Sequence, residues 1–145
     1  MTTLVEFEVL GLAAPQGSKV LTKWGVMREA NKNTMPWRQQ VAGCAKQAMG
    51  DRAPTLMCVT LLVTFFFTRP RGHYRTGKNA RLLRRGAGLY KPSKPDLSKL
   101  VRAIEDAMTG IVYRDDAQIT SLHATKLYSS EARTSITIEE SELPP

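Results

Sequence analysis

From Leu4 to Leu10 the chain alternates: Val5, Phe7 and Val9 share one face and Glu6 and Glu8 the other, the pattern of a half-buried strand. Gly11 to Lys19, with Pro15 and Gly17, predicts a loop, and Lys19 to Arg28 a short hairpin turning at Trp24-Gly25. The period then lengthens. Trp37, Val41, Cys44, Ala45 and Ala48 recur at helical spacing, with Asn33 or Thr34 able to cap the helix, Pro36 tolerated in its first turn and Gly50 ending it. Thr55 to Phe67, dense in β-branched and aromatic residues, predicts a strand buried on both faces near its centre.

No periodicity persists from Thr68 to Pro95, where three prolines and four glycines predict a long loop of the functional or disordered kind. Leu97, Leu100, Val101, Ile104 and Met108 then form the stripe of a helix that Asp96 can cap and Gly110 ends. A turn at Tyr113-Arg114-Asp115-Asp116 leads to a strand from Gln118 to about Tyr128. A last strand, Thr134 to Glu139, alternates Ile136 and Ile138 with polar residues, and 141–145 is expected to be a frayed acidic tail. With 145 residues and no internal repeat, the expectation is one small α+β (mixed α/β) domain over 1–145, about five strands with two main helices.

Charge sharpens the picture. Lys and Arg total 21 against 13 Asp and Glu, a net charge of +8 that favours a polyanionic partner. The basic residues are concentrated: eleven fall between Arg69 and Arg102, with Asp96 as the one acid there. Within that span 69–95 reads as a flexible basic loop. Its Arg69, Arg71, Arg75, Lys78, Arg81, Arg84, Arg85, Lys91 and Lys94 suit contacts to a phosphate backbone. A solvated loop explains the same run about equally well. Cys44 and Cys58 match no zinc spacing and point to a reducing compartment. Glu6 and Glu8 stand where a signal peptide would carry Lys or Arg, and the apolar runs are too short to span a bilayer, so the expected location is cytoplasmic, away from membranes.

The stretch KPSKPDLSKLVRAIEDAMTGIVYRDDAQI, Lys91 to Ile119, carries the candidate chemistry. Asp96 opens a helix, Asp106 lies nearly three turns along it, and Asp115-Asp116 follow a tight connection that can fold them back toward the helix's beginning. Carboxylates gathered in this way repel one another unless a cation intervenes, and hard oxygen ligands favour Mg²⁺ or Mn²⁺. Extended backbone at Asp115-Asp116 would direct their side chains to opposite faces and leave one of them for the metal. The same acids admit plainer roles: Asp96 as an N-cap, Asp106 paired with Arg102 at i, i+4, and Asp115-Asp116 as turn residues.

K-P-D-L-S-K-L-V-R-A-I-E-D-A-M-T-G followed by V-Y-R-D-D-A-Q-I resembles the signature of the RusA-type Holliday junction resolvases of phages and prophages. The close match covers Lys91 to Ile119, with weaker agreement over most of the chain. The resemblance implies a small homodimeric endonuclease that binds four-way DNA junctions and nicks them with Mg²⁺ (Mn²⁺ substituting), without a small-molecule cofactor. For a phage-encoded member the location would be the bacterial host cytoplasm. Carried over by position, Asp96 and Asp116 are the catalytic, metal-binding acids. Arg102 is the helix base, and Asp106 and Asp115 match acidic positions of the pattern. In the nuclease reading built on the resemblance, Lys99 joins Arg102 at the phosphate, and Ser98 with Asp106 or Asp115 assists the metal directly or through water. One position departs: Ser98 stands where the family's Asp-x-Asp has its second acid, replacing an anionic metal ligand with a hydroxyl. Two further readings follow. One is a junction-binding protein that cuts weakly or not at all because of Ser98; the other is a generic basic nucleic-acid-binding module.

The remaining candidates read as structural. His73 and His123 have no spaced partners, and Tyr74 and Tyr90 could stack on unpaired bases but fit packing or surface roles better. Trp24 and Trp37 are expected as core or dimer contacts, and Cys44 as a buried helix residue.

Overall fold

The run Val-Thr-Leu-Leu-Val-Thr-Phe-Phe-Phe-Thr forms one of two strands with neighbours on both sides. The computed structural model describes residues 1–17, 19–29 and 31–142, without side chains at 19–20 and 28–29. In chain order its regular elements are β1 (Thr2–Leu10), β2 (Lys19–Leu21), β3 (Met27–Glu29), α1 (Thr34–Met49), β4 (Val59–Thr68), α2 (Leu97–Met108), β5 (Ile119–Ser129) and β6 (Arg133–Glu140). Four strands form a mixed sheet in the order β1-β6-β4-β5, and β2 and β3 pair separately. This is a small α+β domain with two helices. The sheet has four strands where about five were expected, because the predicted hairpin forms but stands apart from it. Trp24, at the hairpin's turn, is accordingly 80% exposed, which removes the core option of the expected core or dimer contact, whereas Trp37 is buried.

β4 pairs antiparallel with β6 and parallel with β5. A parallel neighbour cannot be reached by a tight turn, so the chain crosses over through α2. Both helices cover one face, where Val9, Leu61, Phe65, Leu100, Ile104, Met108, Ile136 and Ile138 are fully buried. Each such side chain stabilises the fold by about 1.5–3 kcal/mol. On the other face Leu62, Thr64 and Phe66 are only half-buried, so β4 is not covered on both sides as its composition suggested. The Arg133 guanidinium lies over the Phe66 ring at 3.8 Å and shields part of that face.

β4 begins at Val59 rather than Thr55, because Thr55 is occupied elsewhere. Its N–H donates to the Val112 carbonyl (2.9 Å) and its hydroxyl to Glu140 (2.7 Å). The segment 69–95 has local order of its own. Two 3-10 turns, Arg71–His73 and Gly77–Asn79, precede a bridge between Tyr74 and Leu83, and Lys91 N–H donates to Lys126 O while Tyr128 N–H donates to Leu89 O. The segment is thereby tied to the far end of β5. Of the expected frayed tail, 143–145 lie outside the described residues.

Candidate functional site

α2 separates the signature acids. The helix starts beside the end of β4, where the Lys126 ammonium donates to the carbonyls of Ser93 (2.7 Å) and Pro95 (2.8 Å). It ends beside the start of β4, where Gln118 holds the carbonyls of Thr55 and Met57. From Asp96 to Glu105 is nine residues, about 13 Å of helix at 1.5 Å per residue. The expectation that the turn folds Asp115-Asp116 back to Asp96 is therefore not met. Gly110 N–H closes a turn on Tyr113 O (2.7 Å), and Tyr113, fully buried, donates its hydroxyl to Glu105 O (2.8 Å). The turn is thus fastened at the helix's own C-terminal end.

At the N-terminal end, Asp96 occupies the cap position in extended backbone, yet its side chain makes no capping hydrogen bond. Its carboxylate lies 3.7 Å from the Lys99 ammonium, with both side chains exposed. Asp96, Lys91, Lys94 and Lys99 line the same cavity. Ser98, in the first helical turn, is exposed and brings no charge.

The C-terminal end gathers Glu105, Asp106, Asp115 and Asp116. The carboxyls of Asp115 and Asp116 come close enough to interact rather than facing apart: Asp115 is extended, but Asp116 opens a 3-10 turn. Asp115 is the structural member. It accepts from Ala117 N–H at 2.9 Å, which with the Asp116 hydrogen bond holds it below the usual carboxylate range. Asp116 is pushed up by its hydrogen bond with Asp115 and by slight burial, with repulsion from Asp115 and Asp106 adding to both. Glu105 is also raised, first by burial and then by Asp116 and Asp106, with Arg102 opposing. The considered Asp106–Arg102 ion pair is not formed. Asp106 instead accepts from Gln16 Nε2 at 2.7 Å, while Gln16 N–H donates to Lys99 O at 3.0 Å.

Among the described residues no three His, Cys, Asp or Glu side chains form a metal-holding group. The donor chemistry nevertheless fits a hard divalent cation. Oxygen donors gather at the C-terminal end of α2, where the mutual repulsion of Glu105, Asp106 and Asp116 is of the kind a cation relieves.

The basic residues divide into two groups. Arg69 donates to Gly88 O (2.7 Å), Arg75 to Leu83 O (3.2 Å) and Arg84 to Tyr74 O (2.8 Å), so these three brace the segment. Lys91 donates to Ser93 Oγ (2.8 Å) and lies over the Phe67 ring. Arg71, Lys78, Arg81, Arg85 and Lys94 are exposed, and their side chains make no hydrogen bond or ion pair among the described residues. His73 packs edge-on against Tyr128 at 4.8 Å, a structural position as expected, and Cys44 and Cys58 are half-buried free thiols.

Sequence reasoning missed Glu105, Gln16 and Gln118. Glu105 sits beside Asp106 and invited attention. The long-range contacts of Gln16 and Gln118 left no local signal.

The fold is an α+β domain, a mixed sheet with helices on one face, with carboxylates at both ends of the crossover helix and Lys91, Lys94 and Lys99 beside one of them. Comparison with known proteins makes this specific: the family model Endodeoxyribonuclease RusA matches residues 13–139. The chain belongs to the RusA endodeoxyribonuclease family. It is also similar to the "Uncharacterized protein YqaN" of Bacillus subtilis (strain 168), 39% identical over 54 residues, or 37% of this chain. The match covers 38% of the length of that curated relative. Among the described residues no helix is long and apolar enough to cross a membrane.

Proposed function

We propose that the protein is a Mg²⁺-dependent endodeoxyribonuclease that binds and nicks four-way junctions or related branched DNA, acting as a cytoplasmic homodimer. Membership of the RusA family supports the nuclease reading. The structural observation that carries it is the Asp96 carboxylate, which caps nothing and lines one cavity with Lys91, Lys94 and Lys99. Those cations draw a phosphate to the place where an acid stands ready.

Asp96 and Asp116 would hold the metal, with Ser98, Asp106 and Asp115 assisting directly or through water. A bound Mg²⁺ or Mn²⁺ polarises the phosphodiester and lowers the pKa of its water. Lys99 and Arg102 contact the scissile phosphate and balance charge that develops on it. Arg71, Lys78, Arg81, Arg85 and Lys94 hold the arms, while Arg69, Arg75, Arg84 and Lys91 shape the segment presenting them.

One chain keeps Asp96 and Asp116 at opposite ends of α2. Two-fold symmetry lets the N-terminal end of α2 in one protomer complement the C-terminal end in its partner. We read the homodimer as the condition for a complete ligand set, and a two-fold axis also suits a junction cut at two related positions.

A second reading, binding with weak or no cleavage, is favoured by Ser98 standing where the family pattern has an acid. A labelled four-way junction incubated with Mg²⁺, Mn²⁺ or EDTA separates the two. Retardation in all three, with nicks only where metal is present, is expected. Retardation without nicks at any metal concentration selects the second reading, and equal cutting of linear duplex removes the junction preference.

A further inference from the structure

A cavity of about 880 Å³ opens between the start of α1, the start of α2 and the loop following β1. This lies within the range that takes a nucleotide-sized ligand, roughly 300–1,000 Å³. Its floor is apolar: Ala13, Ala14, Trp37 and Phe67 are all buried. Its lip carries the ammonium groups of Lys94 and Lys99 and the side chain of Asn33. Among the described residues two polar groups of this cavity are unused. The buried Trp37 indole N–H has no acceptor there, and Asn33, at the N-cap position of α1, makes no side-chain capping bond. An apolar floor below a cationic lip suits a ligand with a flat apolar part and an anionic part. Spare amide and indole groups suit the polar edge of a heteroaromatic ring.

We propose that this cavity receives one unstacked nucleotide of the bound DNA, its base on the apolar floor and its phosphate at the lip on Lys94 and Lys99. The inference rests on the nuclease reading above and adds base recognition beside Asp96. A strand of DNA fits better than a free nucleotide, because Lys91 and Lys94 of the cavity belong to the basic 69–95 segment, whose other exposed cations a lone nucleotide would leave unused. Bases at the crossover of a junction have lost a stacking neighbour, so unstacking costs least there.

The test places the fluorescent base 2-aminopurine at successive positions outward from the crossover of a four-way junction, in EDTA so that no strand is cut. Each protein is added until a gel shows the junction fully retarded. Fluorescence should rise at one position near the crossover, as that base leaves the stack. Asn33→Trp fills the cavity mouth at an exposed residue and should lose the rise, with thermal melting confirming its fold. No rise at any position with the junction fully bound overturns the proposal. So does a rise that survives Asn33→Trp, which would assign the unstacking to another surface such as exposed Trp24. If no junction is retarded, the nuclease reading fails first. A short single strand carrying 2-aminopurine then tests the cavity alone, and fluorescence that is unchanged, or insensitive to Asn33→Trp, overturns it.

Discussion

Gln118 and Asp115 cap each other across the turn that opens β5. Asp115 accepts from Ala117 N–H at 2.9 Å, and Gln118 Oε1 accepts from the N–H groups of Asp115 and Arg114, both at 2.9 Å. The same amide donates from Nε2 to Thr55 O and Met57 O, each at 2.9 Å. The glutamine of D-D-A-Q is thus a clamp joining the acid turn to the approach of β4. Gln118→Ala deletes four hydrogen bonds and should cost about 4 kcal/mol at about 1 kcal/mol each. Urea unfolding checks the stability. Cleavage should fall more than junction binding, since the turn carrying Asp116 loosens while the cationic segment is untouched.

Asp96→Asn and Asp116→Asn should each abolish nicking while junctions still bind, because removing a metal ligand leaves the cations in place. The separation of the two acids along α2 adds a sharper expectation. Mixing the two inactive variants and allowing subunits to exchange should restore about a quarter of the wild-type sites. Half the dimers are then mixed, and each has one intact site of two. Restored activity in the mixture, scored as single-strand nicks, supports ligands drawn from two chains. A mixture as inactive as its components refutes that division.

Much of this was legible in the sequence, and the failures share a cause. Periodicity located the strands and both helices because Val5-Phe7-Val9 and Leu100-Ile104-Met108 each answer to a local geometry. The acids were identified, yet their grouping was misjudged. Whether a turn at Gly110 doubles back or runs onward depends on Tyr113 and Thr55, which meet across the fold. Hydropathy does not divide core from dimer positions for Trp24 for a related reason: it does not reveal that a hairpin stands off the sheet. Nothing local separates Asp115, the cap, from Asp116; the distinction needs the Ala117 N–H and its distance.

The exposed arginines should govern salt dependence. Arg84 braces the segment through Tyr74 O, whereas Arg81 and Arg85 make no hydrogen bond or ion pair among the described residues. Arg81→Ala/Arg85→Ala should therefore weaken junction binding and reduce the slope of log K against log salt by about 1–2 units, close to one for each phosphate no longer neutralised. The melting temperature should be nearly unchanged. An unaltered slope would mean that both side chains face away from the DNA.

Glu105 makes stability depend on pH. Burial, then repulsion from Asp116 and Asp106, raises its carboxyl above the ordinary range against the pull of Arg102. A raised carboxyl favours the protonated form in the folded state. Its contribution is therefore fully present below the unfolded value of about 4.3 and is lost as pH rises through the folded value. Glu105→Gln should match the wild type near pH 4 and melt higher near pH 7 in EDTA, with the difference opening between those limits. Thermal melts across that range check it, and a difference independent of pH would assign the effect to packing.

Ser98 offers the most direct test of the N-terminal half of the site. It sits in the first turn of α2, exposed, two residues after Asp96, and that turn contains no acid. Ser98→Asp adds a carboxylate where the helix dipole favours one, which alone should stabilise the fold by about 0.3–1 kcal/mol. If Ser98 stands at a metal position, the added oxygens bind a hard cation better than a hydroxyl does, and Mg²⁺ should half-saturate cleavage at a lower concentration. The gain should be largest at low metal and vanish at saturation. Lys99 already engages Asp96, so part of the new charge is balanced locally and junction binding should fall only slightly. Titrating cleavage against Mg²⁺ for both proteins distinguishes the two effects. A higher melting temperature with superimposable metal curves assigns Ser98 to the helix alone and leaves Asp96 as the sole acid of its end.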